Sequence, residues 1–198
     1  LGAIDAAEAM TLCAVIEDPM ACAAFTCGAA SGLPAVQRDR QQLAAIATLR
    51  DSLGAHWRLG STLEGMAPSL AEPAAREALR LAEDKLRLAG NAQNVGTDSL
   101  RSLAAALLTR LAQLGYGDEA LQGFARTGYV CTEPAQLARF LEVLKPSQRQ
   151  PLIDETLATL ETERDHTRNK GLIALAPLLP PNSLERALMI AQGIGAEH

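Results

Sequence analysis

The chain has 198 residues, 48% of them hydrophobic, enough to bury one core and expected to form a single folding unit. Aromatics make up only 3% while Ala and Leu, the strongest helix formers, fill nearly every segment, which excludes a sheet and predicts an all-α chain. A net charge of −5, from 18 basic and 23 acidic residues, lacks the positive footprint of a nucleic-acid binder, and apolar runs such as Leu172 to Leu179 are far short of the ~18 residues that cross a bilayer.

The text opens at Leu1, already helical in character, with no basic stretch before an apolar one. It reads as a fragment boundary with something N-terminal removed. A first helix is predicted over 3–16. It is largely apolar, so an exposed apolar strip is expected there, meeting an absent domain or self-associating through this partial repeat. The next pair is predicted over 20–31 and 37–53, separated by Gly32-Leu33-Pro34, and the following pair over 57–67 and 73–89, separated by Ala67-Pro68. The longest loop, Gly90 to Asp98, precedes helices over 99–114 and 118–127, with Asp98 or Ser99 as the expected cap and Gly115-Tyr116-Gly117-Asp118 as the turn. Helices over 134–145 and 150–163 meet at Lys145-Pro146. Those over 168–178 and 183–193 meet at Ala176-Pro177. Proline lacks an amide donor and clashes with the preceding turn, so each of these dipeptides marks a helix boundary.

The second helices of these pairs repeat a short signature of a polar residue, then Ala or Thr, then Leu or Met. It occurs at Glu8-Ala9-Met10, Glu77-Ala78-Leu79, Glu119-Ala120-Leu121, Glu155-Thr156-Leu157 and Arg186-Ala187-Leu188, with Gln41-Gln42-Leu43 in the remaining interval. The third residues are spaced by 33, 36, 42, 36 and 31, the length of one helical hairpin, and the Gly90 to Asp98 insertion accounts for the longest interval. The expected architecture is a right-handed α-solenoid of about five stacked antiparallel hairpins behind one leading half-repeat. The units run 1–18, 19–55, 56–93, 94–129, 130–165 and 166–198, the first with a second (B) helix alone and the others with a first (A) and a second (B) helix.

Reactive residues are scattered. Cys13, Cys22, Cys27 and Cys131 form no Cys-x-x-Cys pair, and His56, His166 and His198 lie at no metal-ligand spacing, so no metal and no cofactor is expected. The cysteines read as small apolar residues in a reducing, cytoplasmic setting, secretion as an effector being the other option. No Gly-x-x-x-x-Gly-Lys-Ser/Thr, Gly-x-Ser-x-Gly or His-Glu-x-x-His motif occurs. Cys131 with Glu133 at a repeat junction reads as packing, and Asp165-His166 as a solvated connection or the start of the last A helix.

The segment RNKGLIALAPLLPPNSLERALMIAQGIG, Arg168 to Gly195, resembles the degenerate HEAT-like repeats appended to bacterial STAND-type signalling NTPases. Trp57-Arg58 through Ala67-Pro68-Ser69-Leu70 is similar text, and the first full unit keeps Leu33-Pro34. The unit over 99–129, with Leu111-Ala112-Gln113-Leu114-Gly115-Tyr116 before Asp118-Glu119-Ala120-Leu121, is similar to tetratricopeptide-type repeats instead. The resemblance implies a sensor or docking arm that binds a protein or peptide while any nucleotide chemistry belongs to another domain, and it implies that B helices line the concave wall.

Exposed positions on those B helices are then Arg76, Arg80, Asp84, Arg87, Gln122, Arg126 and Arg149. A row of guanidinium groups pairs carboxylates bidentately and suits an acidic peptide; the competing reading is a solvated face pairing its own charges, such as Arg80 with Asp84. Trp57 reads as core. The predicted partner-binding set is Arg76, Arg80, Arg87, Arg126 and Tyr116. A helical-repeat enzyme, or a nucleic-acid processing protein with its chemistry in a groove, is the alternative.

Overall fold

The computed structural model describes residues 6–51, 62–89, 95–127 and 134–194, and all regular structure among them is helical. In chain order the elements are α1 (Ala6–Leu12), which runs into a 3-10 turn (Cys13–Val15), α2 (Pro19–Ala30), α3 (Ala35–Asp51) and α4 (62–66), which ends in a second 3-10 turn (Ala67–Ser69). There follow α5 (Glu72–Ala89), α6 (Val95–Gln113), α7 (Gly117–Thr127), α8 (Pro134–Val143), α9 (Pro146–Leu160), α10 (Asp165–Leu175) with a third 3-10 turn (Ala176–Leu178), and α11 (Pro181–Gln192).

Proline and glycine set the boundaries as their backbones require. Pro19, Pro146 and Pro181 occupy first-turn positions, where the missing N–H has no helical partner to lose. At α2, the Asp18 carboxylate also accepts the Met20 N–H at 2.9 Å. Pro68 and Pro177 lie in the 3-10 turns that close α4 and α10. Gly115 takes φ 100°, and the Gly115 and Tyr116 amides donate to the carbonyls of Ala112 and Leu111, closing the last turn of α6.

Three boundaries differ from expectation. α6 starts at Val95, so Asp98 is a first-turn residue that pairs with Arg101 at 3.2 Å and not a cap. α9 starts at Pro146 and carries Pro151 inside, held at its start by Gln148, whose Oε1 accepts the Lys145 N–H at 3.1 Å. α10 starts at Asp165, which places Asp165 and His166 in its first turn and not in a connection. The predicted helix over 57–67 is described only from residue 62.

Each helix packs against its neighbours, α5 on α6 among them. α2 lies on α3 and α6 on α7 as hairpins, while α6 also lies on α8, α8 on α10, α3 on α5 and α9 on α11. The middle residue of the repeated signature is buried in every unit: Ala9, Gln42, Ala78, Ala120, Thr156 and Ala187 are between 0 and 8% exposed. The third residue is not a fixed core position, since Leu43 and Leu188 are exposed. One continuous apolar cluster runs from Ala23 on α2 to Ile190 on α11. At its centre Phe124 of α7 stacks on Phe140 of α8, ring centroids 4.5 Å apart, both fully buried. Gly171 allows α10 to approach α9, because a Cβ there would stand 2.6 Å from Leu160 Cδ2.

Gln42 occupies a buried slot that holds a small residue in the other units, and it is fully hydrogen-bonded there. Its Nε2 donates to the carbonyls of Cys27 at 3.1 Å and Ser69 at 2.9 Å, and its Oε1 accepts the Ala71 N–H at 2.8 Å. From the other side Arg110 Nε of α6 donates to the Leu70 carbonyl at 2.8 Å. The short extended link before α5 is thereby gripped by α3 and α6 together.

Phe124→Ala removes a ring from the middle of the core and is expected to cost about 3–5 kcal/mol in urea unfolding. Val36→Ala, at an exposed position, is expected to change stability by less than about 0.5 kcal/mol. Similar losses for the two would contradict the placement of the core.

Candidate interaction site

The predicted residues fall on one polar face made by α5 and α7, and they divide into two kinds. Arg76 and Tyr116 are interlocked. The Arg76 guanidinium lies over the Tyr116 ring at 4.7 Å, its Nε donates to Glu72 Oε1 at 2.9 Å, and a further amino group pairs with Glu119 of α7. The Tyr116 hydroxyl donates to the second Glu72 oxygen. The electrostatics follow from these contacts. Glu119, then Glu72, raises the Arg76 pKa; the Tyr116 hydroxyl, then Arg76, holds the Glu72 carboxyl below its usual range; and Glu72 pushes the Tyr116 phenol up.

Arg80, Arg87 and Arg126 are the open members, with side chains 67, 76 and 64% exposed. Each still has an acidic neighbour: Arg80 faces Glu77 at 3.5 Å, Arg87 pairs with Asp84, and Arg126 of α7 reaches Glu83 of α5 at 3.7 Å. The expected Arg80–Asp84 pair is replaced by these two, since Glu77 lies one turn before Arg80 and Asp84 one turn before Arg87. Pairs this exposed are worth about 0–1 kcal/mol, so an incoming carboxylate displaces them at little cost. Gln122 is exposed on α7. Arg149 does not belong to this face: it is half-buried, and its Nε and amino group donate to the Leu144 and Glu142 carbonyls at the end of α8.

Polar cross-links of the same type join neighbouring second helices along the chain. Arg50 of α3 pairs with Glu77 of α5, Gln148 of α9 donates to Asp118 of α7 at 2.5 Å, and Arg186 of α11 donates to Glu161, just past α9, at 2.7 Å.

Two grooves lie between helices. One groove, of about 750 Å³, lies between α2 and α4 and is lined by small residues, among them Ala21, Ala24, Gly28 and Gly65. A second, of about 200 Å³, lies between α4, α6 and α8 and is lined by charged and amide side chains, including Arg110, Gln113, Gln136 and Arg139. These residues were not singled out from the sequence, where they look like any exposed helix positions. The readable signal was Gln42, a long polar side chain in a slot that elsewhere holds Ala or Thr.

Of the remaining sequence candidates, Cys131, Glu133, Trp57 and Tyr129 lie outside the described residues. Cys27 is buried, which pushes its thiol up to about 12, whereas Cys13 and Cys22 are half-exposed, with the Cys22 thiol donating to the Cys13 carbonyl at 3.5 Å. Leu12 and Val15 are exposed at the end of α1. Among the described residues no group of three His, Cys, Asp or Glu is placed to hold a metal ion, and no helix is long and apolar enough to cross a membrane. Comparison with protein-family models, with curated proteins and with solved structures gave no match.

The Tyr116–Glu72 bond makes a pH prediction. Because the phenol is raised in the folded chain, its contribution to stability is complete below the ordinary tyrosine pKa of about 10 and is lost as pH rises through the higher folded value. The ultraviolet titration of wild type minus Tyr116→Phe is expected to fall above that ordinary value and to move back towards it in Glu72→Gln. An unshifted curve in both backgrounds would contradict the network.

Proposed function

We propose that this chain is a non-catalytic interaction module, an α-solenoid of stacked helical hairpins that serves as sensor or scaffold in a larger bacterial signalling, defence or effector protein of the cytoplasm. The observation that carries the reading is the packing order. First helices α6, α8 and α10 lie on one another in sequence, α3 touches α5 and α9 touches α11 among the second helices, and the signature's middle residue is buried at each occurrence. An arrangement of this kind buries a continuous core and leaves long faces whose side chains are free for contact. The resemblance of Arg168 to Gly195 to HEAT-like repeats points the same way.

The proposed partner is a protein or peptide with an acidic surface, received by Arg80, Arg87 and Arg126. Arg76 and Tyr116 hold α5 and α7 at the spacing that keeps these three in register, so their part in binding is positioning. Guanidinium forks recognise carboxylates in pairs, and an exposed row of them adds specificity and association rate more than raw affinity.

Affinity capture from the native lysate tests this with wild type and Arg80→Glu/Arg87→Glu/Arg126→Glu as parallel baits. The expected result is a protein held by wild type and released by the variant, with retention falling as salt rises. Equal retention by both baits, or retention of nothing, would overturn the assignment of this face.

A further inference from the structure

The groove between α4, α6 and α8 holds an arginine in an electrostatic situation unlike that of the arginines on the α5–α7 face. Arg76, Arg80, Arg87 and Arg126 each have a carboxylate within 4 Å, as do Arg50 and Arg186. Arg110 has none. Its Nε is committed to the Leu70 carbonyl at 2.8 Å, one amino group reaches the neutral Gln113 Oε1 at 3.5 Å, and the nearby charge it feels is the cation Arg38. Burial first, and Arg38 second, disfavour its charge, so the guanidinium is half-desolvated and uncompensated.

Arg139 of α8 lines the same groove, is exposed, and has no acidic partner among the described residues. The groove also carries two glutamates, neither of which comes within ion-pair distance of these arginines. Glu64 accepts from Gln136 Nε2 at 2.5 Å, and Glu142 makes no ion pair with either arginine. Gln136 is itself buried, so the groove floor is a fixed polar surface. Around the arginines stand Thr109, Gln113 and Gln136, neutral hydrogen-bonding groups suited to peptide amides. A groove of about 200 Å³ takes one or two side chains and is too small for a helix.

We propose that this groove is a second binding site, which receives a Glu or Asp side chain of a partner polypeptide between Arg110 and Arg139, with flanking peptide groups on Thr109 and Gln113. It rests on the reading of the chain as an interaction module, and it places a contact on the side of the first helices, separate from the α5–α7 face. A carboxylate there supplies the counter-charge that Arg110 lacks and displaces water from a site that is already polar and shaped. The partner is thereby defined by chemistry: an extended acidic segment, read one carboxylate at a time.

The probe is the blocked peptide acetyl-Ala-Glu-Glu-Ala-amide, with acetyl-Ala-Gln-Gln-Ala-amide as its neutral counterpart, followed by amide chemical shifts of the isotope-labelled chain. The Glu peptide is expected to shift residues 109–113 and 136–143 and to bind about tenfold more tightly than the Gln peptide. Arg139→Gln, at a residue with no hydrogen bond to a backbone carbonyl among the described residues, is expected to weaken it by about tenfold with unchanged thermal stability. Arg110→Gln also loosens the Leu70 contact, so it is read only beside its own melting curve. Equal affinity for the two peptides, or no shift with either, would overturn the groove. Shifts confined to the helices bearing Arg80, Arg87 and Arg126 would overturn the groove while leaving the interaction reading in place.

Discussion

Three consecutive backbone groups between the second 3-10 turn and α5 lie outside any helical ladder: the carbonyls of Ser69 and Leu70 and the amide of Ala71. Leu70 and Ala71 are buried, where an unpartnered polar group costs about 1–3 kcal/mol. Gln42 satisfies Ser69 and Ala71, and Arg110 satisfies Leu70. Pro68 creates the demand by ending α4 in a 3-10 turn, and the two side chains that meet it come from α3 before the turn and α6 after it. Since Gln42 also holds the Cys27 carbonyl of α2, one amide group ties α2 and α3 to the turn and link that lead into α5. The equivalent Pro177 turn at the far end has no such grip from a side chain among the described residues, and the α11 residues beyond it, Leu184, Leu188 and Met189, are exposed.

Second helices are drawn together and stitched by charge pairs, Arg50 to Glu77, Arg76 to Glu119 and Arg126 to Glu83, which hold the face without making it cohesive at high salt. First helices are connected through the buried apolar cluster and leave grooves above it. Arg110 belongs to both systems. It is spent on the Leu70 carbonyl for the fold, one amino group reaches Gln113, and it makes no ion pair among the described residues. A structural contact has therefore left a charge unpaired at a surface.

The helices, their order and most of their ends were legible because proline, glycine and the Ala/Leu pattern act locally. The repeated signature found the right helices but named the wrong residue as its anchor: Leu43 and Leu188 face outwards, and the preceding Gln42 and Ala187 are buried. Helices begin at Val95, Pro146 and Asp165, ahead of the predicted 99, 150 and 168, with Asp165 and His166 at the start of the last first helix as one of the two readings had them. The arginines were legible as a face but not as a circuit. Whether Arg80 finds Glu77 or Asp84, and whether Arg76 reaches Tyr116, depends on how α5 and α7 are placed. The groove was invisible in the sequence, since its lining converges from three helices separated by some seventy residues, as the Glu64–Gln136 bond records.

The claim on which the rest depends is that the 69–71 junction couples successive hairpins into one body with fixed faces. Native-state amide hydrogen exchange on wild type and Gln42→Leu tests it directly. If the junction couples them, the amides of α3, α5 and α6 lose protection together in the variant. Loss confined to Ala71 and its immediate neighbours, with those three helices unchanged, would contradict the account.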